Sequence, residues 1–292
     1  MRMLSVTGLV AALAVAMIII ERLRPGRLWP KVQGWWVRAL ALSAFQVLSV
    51  YVAGLTIDAW LRVHRPWSAD AMGGWGVAVG YVVHTFVYYW WHRARHAVPL
   101  LWRWVHQVHH SPTRIEVITS FYKHPIEIAL NSVLSSVVLY VVVGLRPEVG
   151  ALVMTVNGIA ELFYHWNVRT PRWLGYIVQR PESHCVHHQE QLHRHNYADL
   201  PVFDLLFGTY LNPGAWAGRC GFGEGTERRR LGEMLLGRDV NIGNPQRVPE
   251  PSRDGTRRAE LAGSPRDARN DRRSAAHSSS SRRASISKPT SR

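Results

Sequence analysis

Three histidine clusters carry the chemistry of this chain. His92 and His96 stand in HRARH, His106, His109 and His110 in HQVHH, and His184, His187 and His188 in HCVHH. Positions three and four apart share one face of a helix, so each cluster aims its imidazoles one way. Neutral imidazole is the commonest side-chain metal ligand. Eight histidines in three groups exceed the four ligands of one tetrahedral zinc and suit two ions with open positions. Adjacent pairs such as His109 and His110 differ by about 100° around a helix, which favours serving two neighbouring centres over chelating one.

Around these lie weaker candidates. His165, in FYHWNV, is a further metal ligand at the end of a long apolar segment. His124 in YKHPIE, Glu161 one turn before His165, Asn167, and His193 and His195 in HRHN are extra ligands or partners that orient ligands. For Glu161 the alternative is a helix-end charge, and for His193 and His195 a plain loop position. His84 reads as a hydrogen-bonded structural histidine inside a helix. Cys185, one residue from His184, points away from the metals. His64 and His277 are unconnected to the site. Arg93 and Arg95 fall on other helix faces and are expected to meet lipid phosphates. No catalytic residue beyond the metal ligands is expected.

The elements that must position these residues are apolar. Runs at 4–20, 36–57, 75–91, 126–145 and about 149–163 contrast with a charged region after 225. The first run spans about 25 Å as a helix, near the short limit for a bilayer. It reads as a retained anchor rather than a cleaved leader, because only Arg2 precedes it and three isoleucines end it. The short break at 144–147 makes the last two runs a hairpin that crosses only part of the membrane. The expected fold is an all-α integral membrane protein: about four to five membrane-embedded helices and a cytosolic helical cap holding a histidine-rich dimetal site. Residues 1–74 form N-terminal membrane helices, 75–225 the catalytic domain, and 226–292 a basic, disordered tail.

Charge sets the expected orientation. Arg22, Arg24, Arg27 and Lys31 follow the first run, so the loop at 21–34 is cytoplasmic by the positive-inside rule. Counting helices from there places all three clusters on the cytoplasmic side. Trp29, Trp35, Trp36, Trp60, Trp67, Trp75, Trp90 and Trp91 lie near proposed helix ends and read as interfacial anchors. The net charge of +15 suits anionic headgroups. The chain shows no nucleic-acid recognition motif, so no nucleic-acid partner is expected.

The motifs YYWWHRARH (88–96), WRWVHQVHHSP (102–112), HPIE (124–127), FYHWNVR (163–169), PESHCVHH (181–188), NYAD and FDLLFGTY (196–210) resemble those of the membrane fatty acid hydroxylase/sterol desaturase superfamily. The resemblance runs from about Trp75 to Tyr210. It implies a non-haem centre of two irons that uses dioxygen to hydroxylate or desaturate a lipid or sterol C–H bond. It departs at Thr85, where the family often has an acid seven positions before the first histidine, so tuning of a ligand from that position differs here. The chain has no Gly-rich dinucleotide fingerprint and no haem or iron–sulfur cysteine pattern. Electrons are therefore expected from a separate donor, a ferredoxin or small cytochrome with its reductase. Two other readings stay open: a membrane zinc hydrolase, although HExxH is absent, and a metal transporter or store, although the histidines lie beyond the helix ends.

Overall fold

Proline and glycine punctuate the helices. Pro125, Pro147, Pro181 and Pro201 each open one, where the missing N–H costs nothing and φ is preset. Gly34 enters the following helix at φ 66°, a conformation open to glycine without strain. The computed structural model describes residues 2–241 apart from Ala217 and Glu224. Residues 242–292, which include most of the expected disordered tail and His277, lie outside the described residues.

In chain order the helices are α1 (Arg2–Leu23), α2 (Trp35–Ala53), α3 (Trp75–Ala97), α4 (Gln107–His110), α5 (Pro125–Ser136), α6 (Pro147–Tyr164), α7 (Pro181–His187), α8 (Pro201–Leu206), α9 (Thr226–Arg229) and α10 (Leu231–Leu235). Wider π turns extend three of them. Gly54–Asp58 carries α2 on into Ala59–His64, Trp102–His106 leads into α4, and Val137–Val142 continues α5. Such turns are frequent at functional sites because they re-aim a helical face. Among the described residues there is no strand, only an isolated bridge between Gln189 and Cys220. The architecture is all-helical.

Helix α3 positions the first cluster. It runs unbroken for 23 residues, so His92 and His96 continue the helix beyond the apolar run that ends at Trp91. It packs on α6, while α2 packs on α5 and α1 on α6. Close approach of α3 to α6 depends on a missing side chain. A Cβ at Gly80 would stand 2.7 Å from Leu145 Cδ1 and 2.9 Å from Val153 Cγ2. Leu145 and Val153 belong to a buried cluster with Leu61, Leu139, Tyr140 and Val143, which anchors the end of the bundle away from the histidines.

Two continuous helical stretches, Trp35–Leu61 and Pro125–Val142, are long and apolar enough to cross a membrane by length and composition. Apolar side chains cover the outer face of α2: Val37, Leu40, Val47, Leu48 and Leu55 are all exposed.

Two expectations are corrected here. Trp35 is not an interfacial anchor. It is 2% exposed, stacks on Tyr122 with centroids 5.1 Å apart, and donates Nε1–H to Glu116 at 3.1 Å. The polar partner explains how a tryptophan is buried whole. Residues 226–241, expected to open the tail, instead carry α9 and α10. Met234 and Val240 are buried in one core cluster with Trp35 and Tyr122. That short apolar contribution is too brief to show as a periodic run.

Candidate metal centre

The helices bring nine sequence-predicted ligands into two adjoining groups. His92, His96, His106, His110 and His187 form one, with their donor nitrogens all within 4.8 Å of one another. His109, His165, His184 and His188 form the other by the same measure. Helices α4 and α7 serve both. His106 and His110, one turn apart, belong to the first group while His109 turns to the second. His184 and His188 belong to the second while His187 turns to the first. The groups abut where His110 stacks on His188, with centroids 4.2 Å apart.

The hydrogen bonds fix which nitrogen faces inward. His92 Nδ1–H donates to the Tyr197 carbonyl at 2.8 Å. His165 Nδ1–H donates to the Glu161 carbonyl at 2.9 Å, and His187 Nδ1–H to the His195 carbonyl at 2.7 Å. His106 Nδ1 lies 2.8 Å from a Glu127 carboxylate oxygen and 3.3 Å from Arg95 Nη1. A backbone carbonyl can only accept, so the Nδ1 atoms of His92, His165 and His187 carry the proton and their Nε2 atoms present lone pairs.

The inward nitrogens meet. Nε2 of His92 and His106 are 2.9 Å apart, and Nε2 of His106 and His110 are 3.1 Å apart. In the second group the His165–His184 and His184–His188 Nε2 pairs stand at 3.1 and 3.0 Å. A cation shared between these facing nitrogens would satisfy them together. Two nitrogens at right angles around an ion with ~2.1 Å bonds are ~3.0 Å apart. The Nε2 atom of His187 and the Nδ1 atoms of His109, His184 and His188 are buried without a hydrogen-bond partner. Buried polar groups are otherwise rarely left so.

Burial, with repulsion from neighbouring imidazoles, holds His109, His110, His184 and His188 well below the usual histidine range. For His106, burial comes first and the Arg95 charge second. The rings are thus neutral and ready to ligate. All-imidazole donor sets suit iron as well as zinc, copper and nickel, and nine imidazoles exceed what one ion takes. The residues present fit a pair of metal ions.

The outer residues sort differently from the sequence expectation. His195 and Glu161 act through their backbone carbonyls, as described. His193 is buried with Nδ1 3.1 Å from His110 Nδ1. His124 lies in neither group. It caps α5, accepting the Ile126 N–H at 3.0 Å, and its Nε2 lies 3.2 Å from the Leu235 carbonyl. Asn167 holds the loop after α1, accepting from Arg27 N and donating to Arg27 O. Cys185 turns away from the centre onto Cys220, with sulfurs 3.0 Å apart. His84 pairs with Ser135 at 3.1 Å. Arg95 does not face lipid: it is 5% exposed and forms an ion pair with Glu127.

Glu127, Arg95, Lys123 and Asp199 are the residues that sequence reasoning missed. Glu127 stands in the HPIE motif, in the first turn of α5. An acid opening a strongly apolar helix was the available signal. Lys123 pairs with Glu161, beside the second group.

The fatty acid hydroxylase family matches residues 77–209. An ornithine lipid hydroxylase of Rhizobium tropici is 34% identical over 142 residues, covering 47% of this chain and 42% of that protein. A cholesterol 25-hydroxylase-like protein of Danio rerio is 28% identical over 206 residues, covering 65% of this chain and 79% of its own. Human alkylglycerol monooxygenase is 30% identical over 130 residues, 43% of this chain and 28% of that protein. The chain thus spans less than half the length of the first and third. No solved structure matches it.

Proposed function

We propose, for a chain that carries a fatty acid hydroxylase domain at 77–209 and fits the fatty acid hydroxylase/sterol desaturase superfamily, the dioxygen-dependent oxidation of a lipid or sterol C–H bond at a centre of two irons. His92, His96, His106, His110 and His187 hold one iron, and His109, His165, His184 and His188 the other. When bound, the irons supply the electrons that make dioxygen reactive toward an unactivated carbon. The observation that carries the reading is the pair of buried imidazole groups, in which outward N–H bonds turn the Nε2 atoms of His92, His165 and His187 inward.

The chain's own residues do the rest. Outward carbonyl acceptors orient His92, His165 and His187 before a metal arrives, which lowers the cost of assembling the site. Glu127 places negative charge against His106 and so offsets part of the cationic charge of an all-imidazole centre. Walls from α3, α5 and α6 exclude bulk water and present the substrate carbon. Its distance from the centre decides between hydroxylation and desaturation. Electrons come from a separate donor, a ferredoxin or small cytochrome with its reductase.

The protein is read as a multi-pass membrane protein with four to five embedded helices and the histidine groups in a cap on the cytoplasmic side. Exposed apolar faces of this extent call for lipid or another protein, and the basic loop at 22–31 supports the orientation. Metal analysis of purified protein together with oxygen uptake tests the function. Two irons per chain with substrate-dependent uptake are expected. One zinc without uptake would refute the oxygenase and favour a hydrolase.

A further inference from the structure

The three helices beneath the metal centre carry polar stripes. Tyr81, His84, Thr85 and Tyr88 recur on α3 at helical spacing, Glu127, Asn131 and Ser135 on α5, and Asn157, Glu161 and Tyr164 on α6. The stripes face one another: Tyr88 Oη donates to the Asn131 carbonyl at 2.7 Å, and Trp91 Nε1–H donates to Asn131 Oδ1 at 2.9 Å. They enclose a cavity of about 60 Å³. Thr85, Asn131, Asn157, Glu161 and Asp199 line it, and His92, His106, His109 and His184 from both groups border it. The cavity thus adjoins both histidine groups.

Such a lining does not suit a bare hydrocarbon. Thr85 Oγ1 and Glu127 Oε2 belong to this lining and have no hydrogen-bond partner, so packing methylene groups against them leaves them stranded at a cost. The cavity has room for only a few atoms, so it receives the reacting part of the substrate and not a whole lipid. The charges are also unequal. Arg95 pairs with Glu127, and Lys123 with Glu161. Among the described residues, no cation makes an ion pair with Asp199. Its partner is the Tyr164 hydroxyl. Burial first, and the charge of Glu161 second, push its carboxyl up to about 7. Asp199 thus has a hydroxyl partner where Glu127 and Glu161 each have a cation.

We propose that the cavity binds a lipid at a hydrogen-bond-donating group, a hydroxyl or an ammonium next to the oxidised carbon, and that Asp199 selects it by accepting that hydrogen bond. Mid-chain methylenes of a plain acyl chain are thereby disfavoured. The inference rests on the lipid-oxidising reading for the identity of the site, while its test is a binding measurement.

Full-length protein in phosphatidylcholine nanodiscs is titrated with dodecylamine, dodecanol and dodecane, and binding is followed by tryptophan fluorescence. A polar probe is expected to bind about tenfold or more tightly than dodecane. Asp199→Leu is expected to remove that preference, with thermal melting and iron content checked in parallel. Asp199→Asn keeps an acceptor oxygen but no charge, so it discriminates the two donors. Weakened dodecylamine with dodecanol retained identifies an ammonium; dodecanol favoured in both wild type and Asp199→Asn identifies a hydroxyl. Equal binding of all three probes, or an unchanged preference in Asp199→Leu, overturns the proposal. Loss of irons and oxygen uptake in the wild type would sink the oxidation reading alone. A two-iron, oxygen-consuming protein without polar preference would sink this one alone.

Discussion

Replacing Glu127 by glutamine separates ligand tuning from simple stability. The carboxylate has no exposed surface, lies 2.8 Å from His106 Nδ1, and pairs with Arg95. The amide keeps the size and one acceptor oxygen but loses the charge. Stranding one partner of a buried ion pair costs about 3–5 kcal/mol. Arg95 retains a neutral acceptor and the Trp91 ring, 5.7 Å from its guanidinium carbon, so the lower end is expected. Weakening the outer partner of a ligand imidazole lowers metal affinity by about 10–100-fold, or about 1.4–2.7 kcal/mol. That loss belongs to the group holding His106. The His165 bond of the second group runs to a backbone carbonyl that the substitution does not touch. Iron retention against a graded chelator is the assay. One iron of the variant should leave at about 10–100-fold lower chelator than in the wild type, and the other at nearly the wild-type concentration. Arg95→Met combined with Glu127→Leu removes both charges and should recover stability without recovering affinity. Unchanged iron binding in Glu127→Gln, or equal loss of both irons, would refute the assigned role.

Two further outcomes are expected. His109→Ala removes a ligand from the second group and His187→Ala one from the first; each should lower bound iron from two toward one and abolish lipid oxidation while the protein still inserts. Product formation in either variant, measured by mass spectrometry of the lipids, contradicts the ligand assignment. Lys31, exposed in the loop after α1, should as Lys31→Cys react with an impermeant maleimide only after the cells are opened. The two native cysteines are buried and give little background, so labelling of intact cells would reverse the orientation.

The histidine groups were legible because their logic is local. Spacings of three and four fix a helical face without knowledge of the fold, and the division of α4 and α7 between two groups follows from the same rotation. His165 was legible for a related reason, since it ends a long apolar helix that had to return toward the other clusters. What chains distant in sequence do to one another was not legible. Arg95 lies between two ligands and looked directed at lipid phosphates, because only the placement of α5 shows that Glu127 covers it. His124 and Asn167 sit in motifs beside the site yet serve a helix start and a loop. Trp35 resembled the tryptophans at other helix ends. It is set apart by Glu116 and Tyr122, more than eighty residues away. Residues 226–241 have too few apolar positions to announce a helix, and their fold depends on a core that the first half of the chain provides.

The polar stripes have a counterpart on their outer sides. Val79, Val82, Phe86 and Trp90 on α3, Ile126, Leu130 and Val133 on α5, and Leu152, Val156 and Ile159 on α6 are all exposed. Under the membrane reading proposed above, tolerance to substitution should follow this partition: outward positions would exchange freely among oily residues because lipid surroundings are fluid and unspecific. An inward change at Asn131 or Ser135 strips Trp91, Tyr88 or His84 of a bond. Engineering of this chain for solubility and engineering for altered chemistry would therefore draw on two nearly disjoint sets of residues, interleaved along the same three helices.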